Sequence, residues 1–284
     1  MATIMNDEVR FHLKIRHGDV GRYVILPGDP GRVPKIAALL DNAKQIAQNR
    51  EYNIYTGTLN GEKVSVCSTG IGGPSAAIAV EELIDSGANT FIRVGTSGGI
   101  DLSVFGGDLI IAEAAIRAEG TSYEYLPQGY PSIADFEVTT ALVQAAKELS
   151  TEEPGNRYHV GVVHSKDSFY GETNPERSAV EDNIKSRWES YLKCGCLTSE
   201  MECAAIYAVG LVRSVFPKKI RCGGVLTALW NAERSKRNMP DNITDDSTRG
   251  IKCAVRAVEL LIEQDKAAYN RFMSEIHGDI RRGE

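Results

Sequence analysis

Short apolar runs alternate with segments of helical periodicity along most of the chain. The apolar runs, several of them bounded by glycine or proline, predict strands at residues 22–27, 52–59, 63–68, 90–94, 107–116, 158–164 and 219–229. Apolar positions three or four residues apart predict helices at residues 31–40, 74–87, 135–149, 178–191, 200–213 and 246–264. The charged segment 265–284 is predicted to be a solvent-exposed terminal helix. Because strands and helices alternate, the pattern predicts a layered α/β fold with a largely parallel or mixed sheet.

Composition and charge exclude several classes of protein. The chain has 284 residues, 32 Lys plus Arg and 38 Asp plus Glu, so its net charge is −6. A general nucleic-acid binder would carry a basic face, and no such partner is expected. The sequence contains no run near the roughly 18 apolar residues of a membrane span, and acidic residues occupy the place of a signal peptide's apolar run. We therefore expect a cytoplasmic protein without a membrane partner, whose six cysteines are buried thiols of a reducing compartment.

Glycine-rich turns follow three of the predicted strands. They are GDPG at residues 28–31, GIGG at 70–73 and GTSGG at 95–99, which is predicted to be a loop. In open α/β sheets, ligands bind at the carboxyl ends of the strands, and glycine lets the backbone approach an anion closely. Arg32 and Arg93 lie beside two of these turns, and a guanidinium fork matches the geometry of phosphate. The turns therefore predict a site for a phosphate-sized anion.

Two other motifs indicate different functions, a serine hydrolase and a dinucleotide-binding enzyme. GTSGG fits the pattern of a hydrolase nucleophile elbow around Ser97, but such a serine is followed by a helix, whereas residues 100–104 run into another predicted strand. The run at 70–75 resembles a dinucleotide fingerprint, but Ser75 replaces its third glycine. A serine hydrolase and a dinucleotide enzyme are both disfavoured. A non-catalytic sensor of nucleosides or phosphates remains an alternative, because the same pocket would serve it.

Five motifs occur in a specific order: LPGDPGRVPKIAALL at 26–40, CSTGIGGPSAAIAVEEL at 67–83, FIRVGTSGGI at 91–100, DSFYGE at 167–172 and SEMECAAIY at 199–207. In this order they resemble the nucleoside phosphorylase family, and most closely its uridine phosphorylase branch. The resemblance extends from about Phe11 to about residue 230. It implies one three-layer α/β/α domain over residues 1–284, with a central mixed sheet.

The resemblance also implies roles for individual residues. The phosphate-binding positions of the family correspond to Gly28, Arg32, Arg93 and Thr96, with Arg50 contributed by a neighbouring subunit. The ribose-binding and catalytic positions correspond to Glu200, Met201 and Glu202, with His12 reaching across the same interface. Glu51, Ile71 and Ser75 correspond to a potassium site at that interface. At least a dimer is therefore expected, and a hexamer is possible in this family.

The chemistry of these residues agrees with phosphorolysis. Cleavage of an N-glycosidic bond passes through an oxocarbenium-like sugar, which a phosphate oxygen beneath C1′ and an ordered ribose would stabilise. Two or three arginines can hold phosphate without a metal, so no cofactor is required and phosphate is a co-substrate. Hydrolytic relatives lack the phosphate arginines, and Arg32 with Arg93 therefore favours phosphorolysis over hydrolysis.

Recognition of the base departs from the family pattern. Purine-specific relatives carry an aspartate after the strand near 220–228, whereas this chain has Thr227-Ala228-Leu229-Trp230. The uridine branch reads uracil with a glutamine two positions before an arginine; Arg177 fits the arginine, but Pro175 occupies the glutamine position in a longer loop. The predicted base-binding residues are Phe169 as a stacking ring, Lys166 as a replacement donor, Arg177, and His164 as a second candidate, with Asn174 offering an amide.

The resemblance therefore implies the activity of the uridine phosphorylase branch, which converts uridine and phosphate reversibly to uracil and ribose 1-phosphate. A purine or broad-specificity nucleoside phosphorylase is the alternative within the family, and the non-catalytic sensor is the alternative outside it.

Overall fold

The structure is a computed structural model that describes residues 8–215 and 217–282. Its strands join into one ten-stranded sheet in the order β10-β6-β8-β9-β5-β1-β4-β3-β2, with β7 paired to β6. The strands are β1 (Tyr23–Pro27), β2 (Asp41–Asn49), β3 (Tyr52–Leu59), β4 (Glu62–Cys67), β5 (Thr90–Gly99), β6 (Leu109–Ala118), β7 (Ser132–Ile133), β8 (Tyr158–Lys166), β9 (Thr198–Glu200) and β10 (Arg221–Asn231).

The sheet is mixed, and one part of it closes on itself. β1 runs parallel to β4 and β5, and β5 runs parallel to β10, so the carboxyl ends of these four strands lie at one edge. β10 also pairs with β6, and β6 connects through β8 and β9 back to β5. The strands β5, β9, β8, β6 and β10 therefore form a ring. The pairing of β9 with the last residues of β5 brings the carboxyl ends of β8 and β9 to the end of β5.

Helices cover both faces of the sheet. They are α1 (Val33–Ala37), α2 (Gly73–Asp85), α3 (Thr121–Tyr125), α4 (Phe136–Leu149), α5 (Phe169–Thr173), α6 (Glu181–Lys193), α7 (Cys203–Arg213), α8 (Ala232–Lys236) and α9 (Thr248–Arg282). Alternate residues of β1 separate two buried clusters: Val24 and Leu26 pack with α2 and α7, whereas Tyr23 and Ile25 pack with α1, α4 and α9. This alternation follows from the period of two in a strand, and it confirms the predicted three-layer α/β/α fold with a mixed sheet.

The structure corrects several sequence-based expectations. Residues 95–99, predicted to be a loop, form the last part of β5, and residues 100–108 connect β5 to β6. The prediction of a helix over 31–40 was too long, because a 3-10 turn at Pro30–Arg32 precedes the five-residue α1. β2 was not predicted, since most of its residues are polar and exposed. No helix follows β5 directly, which agrees with the rejection of a nucleophile elbow at Ser97.

Three further expectations concern the cysteines, membrane-spanning helices and the terminal segment. All six cysteines are free and five are buried, but the prediction was wrong for Cys194, which is exposed at the end of α6. Within the described ranges, the structure contains no helix with the length and apolar character needed to cross a membrane. The segment 265–284 was expected to form a solvent-exposed terminal helix. α9 continues through this segment to Arg282, its side chains are exposed over residues 266–272, and residues 283–284 lie outside the described residues.

Candidate active site

A cavity of about 1040 Å³ lies where the carboxyl ends of β1, β5, β8, β9 and β10 meet. This volume is at the upper end of the range usual for small-molecule sites. The segment after β4 also lines the cavity, through Gly70 and Ile71. Ligands of open α/β sheets bind at such an edge, and the glycine-rich turns singled out in the sequence all contribute to its wall.

Two arginines approach each other at one end of the cavity. Arg32, from the 3-10 turn, and Arg93, from the middle of β5, both line it together with Gly28 and Thr96. Burial lowers the pKa of Arg32; the nearby carboxylate of Asp29 opposes this shift, and the positive charge of Arg93 adds to it. Two guanidinium groups that repel each other in a partly buried position favour an anion between them.

Arg93 has unused hydrogen-bonding capacity. Its side chain is almost completely buried, and its Nη2 donates to Oε2 of Glu202 over 2.5 Å. Its Nε and Nη1 have no hydrogen-bond partner among the described residues. Burial would lower the pKa of Arg93, but the charges of Glu202 and Glu200 outweigh this and raise it, so the group stays cationic. A buried donor without a partner costs roughly 1–3 kcal/mol, and a bound oxyanion would remove that cost.

Gly28 shows why glycine is needed beside this guanidinium. A Cβ atom at this position would lie 3.2 Å from Nη1 of Arg93 and 3.1 Å from the carbonyl oxygen of Gly70. A side chain would therefore crowd both the guanidinium and the neighbouring turn. Because Gly28 lacks one, its backbone approaches the arginine closely at the cavity wall.

His12 and Arg50 do not line the cavity of their own chain. Nδ1 of His12 lies 2.7 Å from Oε1 of Glu82, and that carboxylate also accepts from the backbone N–H groups of His12 and Leu13. Arg50 is exposed in the tight turn between β2 and β3, with a positive φ of 52°. Neither residue contributes to the cavity lining of its own chain, and the charges of both act on Glu51, which does line it.

The segment of residues 199–202 forms the middle of the cavity, and its two glutamates have different partners. Glu202 is buried; its Oε1 accepts from the backbone N–H of Gly72 over 2.7 Å, and its Oε2 accepts from Arg93. Glu200 accepts from the backbone N–H groups of Glu202 and Cys203 and from the hydroxyl of Ser165. Glu200 thus caps the start of α7 and fixes the position of Glu202, while the half-buried Met201 lines the wall between them.

The opposite end of the cavity contains Lys166, Phe169 and Glu172. Nζ of Lys166 donates to Oε1 of Glu172 over 2.5 Å and to the hydroxyl of Ser199 over 2.8 Å. The same Nζ lies 5.4 Å from the centroid of the Phe169 ring. A flat ring beside a charged donor and acceptor is suited to a heterocyclic base.

The other predicted base-binding residues lie outside the lining. His164 is buried behind Glu172, with Nδ1 at 2.8 Å from Oε2 of that carboxylate and its ring 4.5 Å from the ring of Tyr191. Arg177 is exposed in the 3-10 turn Pro175–Arg177, and Asn174 precedes that turn half-buried. His164 therefore contacts Glu172, a residue of the cavity lining, without lining the cavity itself.

Glu51 and Ser75, two of the residues predicted to bind potassium, are in contact. The hydroxyl of Ser75 lies 2.6 Å from Oε1 of Glu51 and 2.5 Å from the carbonyl oxygen of Thr69. Ile71, whose side chain is largely exposed, lines the cavity beside them. Carboxylate, hydroxyl and carbonyl oxygens are hard ligands that suit a cation such as potassium. Over the described residues, there is no cluster of three or more His, Cys, Asp or Glu side chains able to hold a metal ion.

Several residues of the cavity wall had no role predicted from the sequence, among them two tryptophans and a glutamate. Glu172 lies within the recognised DSFYGE motif but was given no role, and Trp188 and Trp230 are the only tryptophans of the chain. Trp188 is fixed by a hydrogen bond of 2.9 Å from its Nε1 to Oε2 of Glu233. The rarity of tryptophan was a signal that could have identified these two positions, whereas the position of Glu172 depends on the loop after β8.

Known proteins resemble this chain over most of its length. A family model described as the phosphorylase superfamily matches residues 22–236. A uridine phosphorylase of Treponema pallidum is 44% identical over 265 residues, which are 93% of this chain and 99% of that protein. A uridine phosphorylase of Thermococcus kodakarensis is 46% identical over 75% of this chain and 78% of its own length. A guanosine phosphorylase of Halorubrum lacusprofundi is 38% identical over 88% of this chain and 98% of its own length.

Proposed function

Because this chain belongs to the phosphorylase superfamily, we propose that it is a uridine phosphorylase, a pentosyltransferase that converts uridine and phosphate reversibly to uracil and ribose 1-phosphate. The observation that carries this proposal is the buried guanidinium of Arg93, which lines the cavity, pairs with Glu202 and has two donors with no partner in the part of the chain that the structure describes. The names of the relatives from Treponema pallidum and Thermococcus kodakarensis support the choice of uridine.

The arrangement of the site suits an anionic nucleophile and a cationic transition state. Arg32 and Arg93 hold phosphate at one end, and Glu202 orders the ribose hydroxyl groups in the middle. As the N-glycosidic bond lengthens, positive charge develops on the sugar and negative charge on the base. The phosphate oxygen beneath C1′ stabilises the positive charge on the sugar and then bonds to C1′. Lys166 donates to a carbonyl of the base and stabilises the negative charge on the base.

Phosphate dependence provides the direct test. The purified protein should release uracil from uridine only when inorganic phosphate is present, because the guanidinium groups position phosphate and not water as the nucleophile. We expect turnover of uridine to exceed that of inosine, guanosine and adenosine by at least about tenfold, measured by chromatographic separation of base and nucleoside. Release without phosphate would indicate a hydrolase, release confined to purine nucleosides would overturn the pyrimidine assignment, and tight binding without release would indicate a sensor.

A broad-specificity nucleoside phosphorylase is the second candidate. The Halorubrum lacusprofundi relative is named a guanosine phosphorylase, and the cavity is large for a pyrimidine nucleoside. Comparable release of guanine and uracil in the same assay would favour this second function. The segment after β10, Leu229-Trp230, carries no acid that could protonate a purine, which supports uridine as the better substrate.

We also propose that the active site is shared between subunits of a homo-oligomer, at least a dimer. Arg50 and His12 match family positions that act across an interface, and neither lines the cavity of its own chain. Glu51 directly follows Arg50 and lines the cavity, so this edge of the site lies next to the proposed interface. Glu51, Ser75 and the backbone of Ile71 would hold a potassium ion there. The free cysteines support a cytoplasmic location.

Mixing two inactive variants tests the shared site. Arg32→Ala removes a phosphate ligand supplied by the chain itself, and Arg50→Ala removes the ligand assigned to the neighbour. If subunits exchange at random, half of the dimers are hybrids, and each hybrid has one intact site, so about one quarter of wild-type activity should return. Activity measured before and after co-refolding decides the outcome. If Arg50 acts within its own chain, no hybrid has an intact site and no activity returns.

A further inference from the structure

A network of four polar side chains lies at the base end of the cavity, on three different elements. Lys166 and His164 come from β8, Ser199 from β9 and Glu172 from α5. Oε1 of Glu172 accepts from Lys166 over 2.5 Å and from the hydroxyl of Ser199 over 2.6 Å, while Oε2 lies 2.8 Å from Nδ1 of His164. The side chains of Lys166 and Glu172 are only 10% and 11% exposed, so this is not a solvated surface pair.

The hydrogen-bonding capacity of this network is almost fully used. An ammonium group has three donors, and Lys166 directs two of them to Glu172 and Ser199. Each carboxylate oxygen accepts about two hydrogen bonds, so Oε1 of Glu172 is saturated and Oε2 has one acceptor site left. Lys166, Glu172 and Ser199 all line the cavity. The network therefore offers a ligand one N–H donor next to one anionic acceptor.

We propose that Lys166 and Glu172 together determine the base specificity of this site by pairing with a carbonyl oxygen and the adjacent N–H of the base. This inference rests on the proposed function and deepens it. Uracil has such an edge, because its N3–H lies between two carbonyl groups. Lys166 donates to one carbonyl, Oε2 of Glu172 accepts from N3–H, and Phe169 lies against the ring plane.

The same pairing excludes cytosine and N3-methylated uracil. Cytosine has an unprotonated N3, which would place its lone pair against the Glu172 carboxylate. A methyl group at N3 removes the donor and leaves the buried carboxylate unpaired. Sites that hydrogen-bond a polar group of the substrate reject analogues that lack it, because their own buried polar atoms then remain unsatisfied.

The charge state of Glu172 agrees with an acceptor-only role. Burial alone would raise the pKa of this carboxyl, but the hydrogen bond from His164 and the charge of Lys166 hold it at about 2. Glu172 is therefore ionised throughout the neutral range and cannot donate to an unprotonated ring nitrogen. His164 is a positioning residue here, since it contacts Glu172 and does not line the cavity.

Binding of free bases to the full-length protein tests this inference without requiring turnover. Titration calorimetry compares uracil, cytosine and 3-methyluracil for the wild type, Glu172→Gln, Lys166→Met and the control Glu181→Gln. The control removes the charge of an exposed glutamate that also lies 2.5 Å from a lysine, Lys185. We expect the wild type and the control to prefer uracil over both analogues by about 10- to 100-fold, the range for one hydrogen bond to a charged group.

In Glu172→Gln the preference for uracil should fall to within about threefold, because the amide carries no charge and can present an N–H towards N3. Lys166→Met should weaken the binding of uracil by about tenfold or more. Thermal unfolding curves check that each variant is folded. The inference would be overturned if Glu172→Gln kept the wild-type preference for uracil or lost affinity equally for all three bases. It would also be overturned if the wild type bound the three bases equally well. If the bases bind as expected but phosphate and uridine give no uracil, the proposed function fails and the inference stands.

Discussion

Replacement of Arg93 by lysine is expected to lower kcat/KM for phosphate by about 100- to 1000-fold, the usual cost of losing one preorganised electrostatic contact. Lysine keeps the positive charge that compensates the buried Glu202, so the variant should fold. It does not keep the planar fork, and a single ammonium cannot donate to Glu202 and at the same time reproduce the two free donors, Nε and Nη1. Phosphate should therefore bind weakly and out of line with the anomeric carbon.

Initial rates with phosphate varied at saturating uridine measure this effect directly. Arg256→Lys provides the control, because Arg256 also pairs with glutamates but lies partly exposed on α9, outside the cavity lining. That variant should keep wild-type kinetics. A KM for phosphate within threefold of the wild type in Arg93→Lys would show that the buried guanidinium is not a phosphate ligand and that its free donors serve the fold alone.

The meeting of Arg32 and Arg93 at one cavity could be predicted from the sequence, because the residues at this end of the cavity are local to their motifs. Gly28 and Arg32 lie in one turn after β1, and Arg93 and Thr96 lie on one strand. Each motif fixes its own backbone geometry, so their arrangement follows once the strands are parallel neighbours. Even here, the extension of GTSGG as a strand was missed, because glycine-rich sequence is typical of loops, whereas these residues pair with β9 and β10.

The base end could not be predicted in the same way. Glu172 reaches Lys166 and Ser199 only because β9 pairs with β8 and because α5 begins directly after β8. Its partners are up to 27 residues away in sequence, and the loop after α5 is longer than the family motif, so spacing alone gave no correspondence. Similarly, β2 is polar along most of its length, and its place in the sheet depends on pairing with β3 rather than on its own pattern.

The role of Glu200 illustrates a further limit of motif reasoning. The motif SEMEC places two glutamates two residues apart, and either could face the ribose. In the structure the Glu200 carboxylate is already occupied by two backbone N–H groups at the start of α7. Glu202 contacts Arg93 and therefore connects the phosphate end to the middle of the cavity. The two glutamates are therefore distinguished by their hydrogen-bond partners and not by their positions in the motif. Glu200 caps the start of α7, whereas Glu202 pairs with Arg93.

Glu202→Gln is accordingly expected to lower kcat/KM for uridine by about 100- to 1000-fold. Glutamine has nearly the same size and can still accept from the N–H of Gly72, but it loses the charge that pairs with Arg93 and that we propose holds the ribose hydroxyl groups. An oxocarbenium-like sugar next to a neutral amide also loses the stabilisation that a nearby carboxylate gives to positive charge.

Comparing uridine with 2′,3′-dideoxyuridine separates contact with the ribose from a structural effect. In the wild type, removal of both hydroxyl groups should lower kcat/KM by about 100-fold or more, because the buried carboxylate then loses its donors. In Glu202→Gln the same removal should cost about tenfold or less, since charged hydrogen bonds are roughly twice as strong as neutral ones. Glu119→Gln is the matched control, because Glu119 is equally buried but caps the start of α3 outside the cavity lining. An identical penalty for the dideoxy substrate in all three proteins would show that Glu202 does not touch the sugar and that its contribution comes only through Arg93.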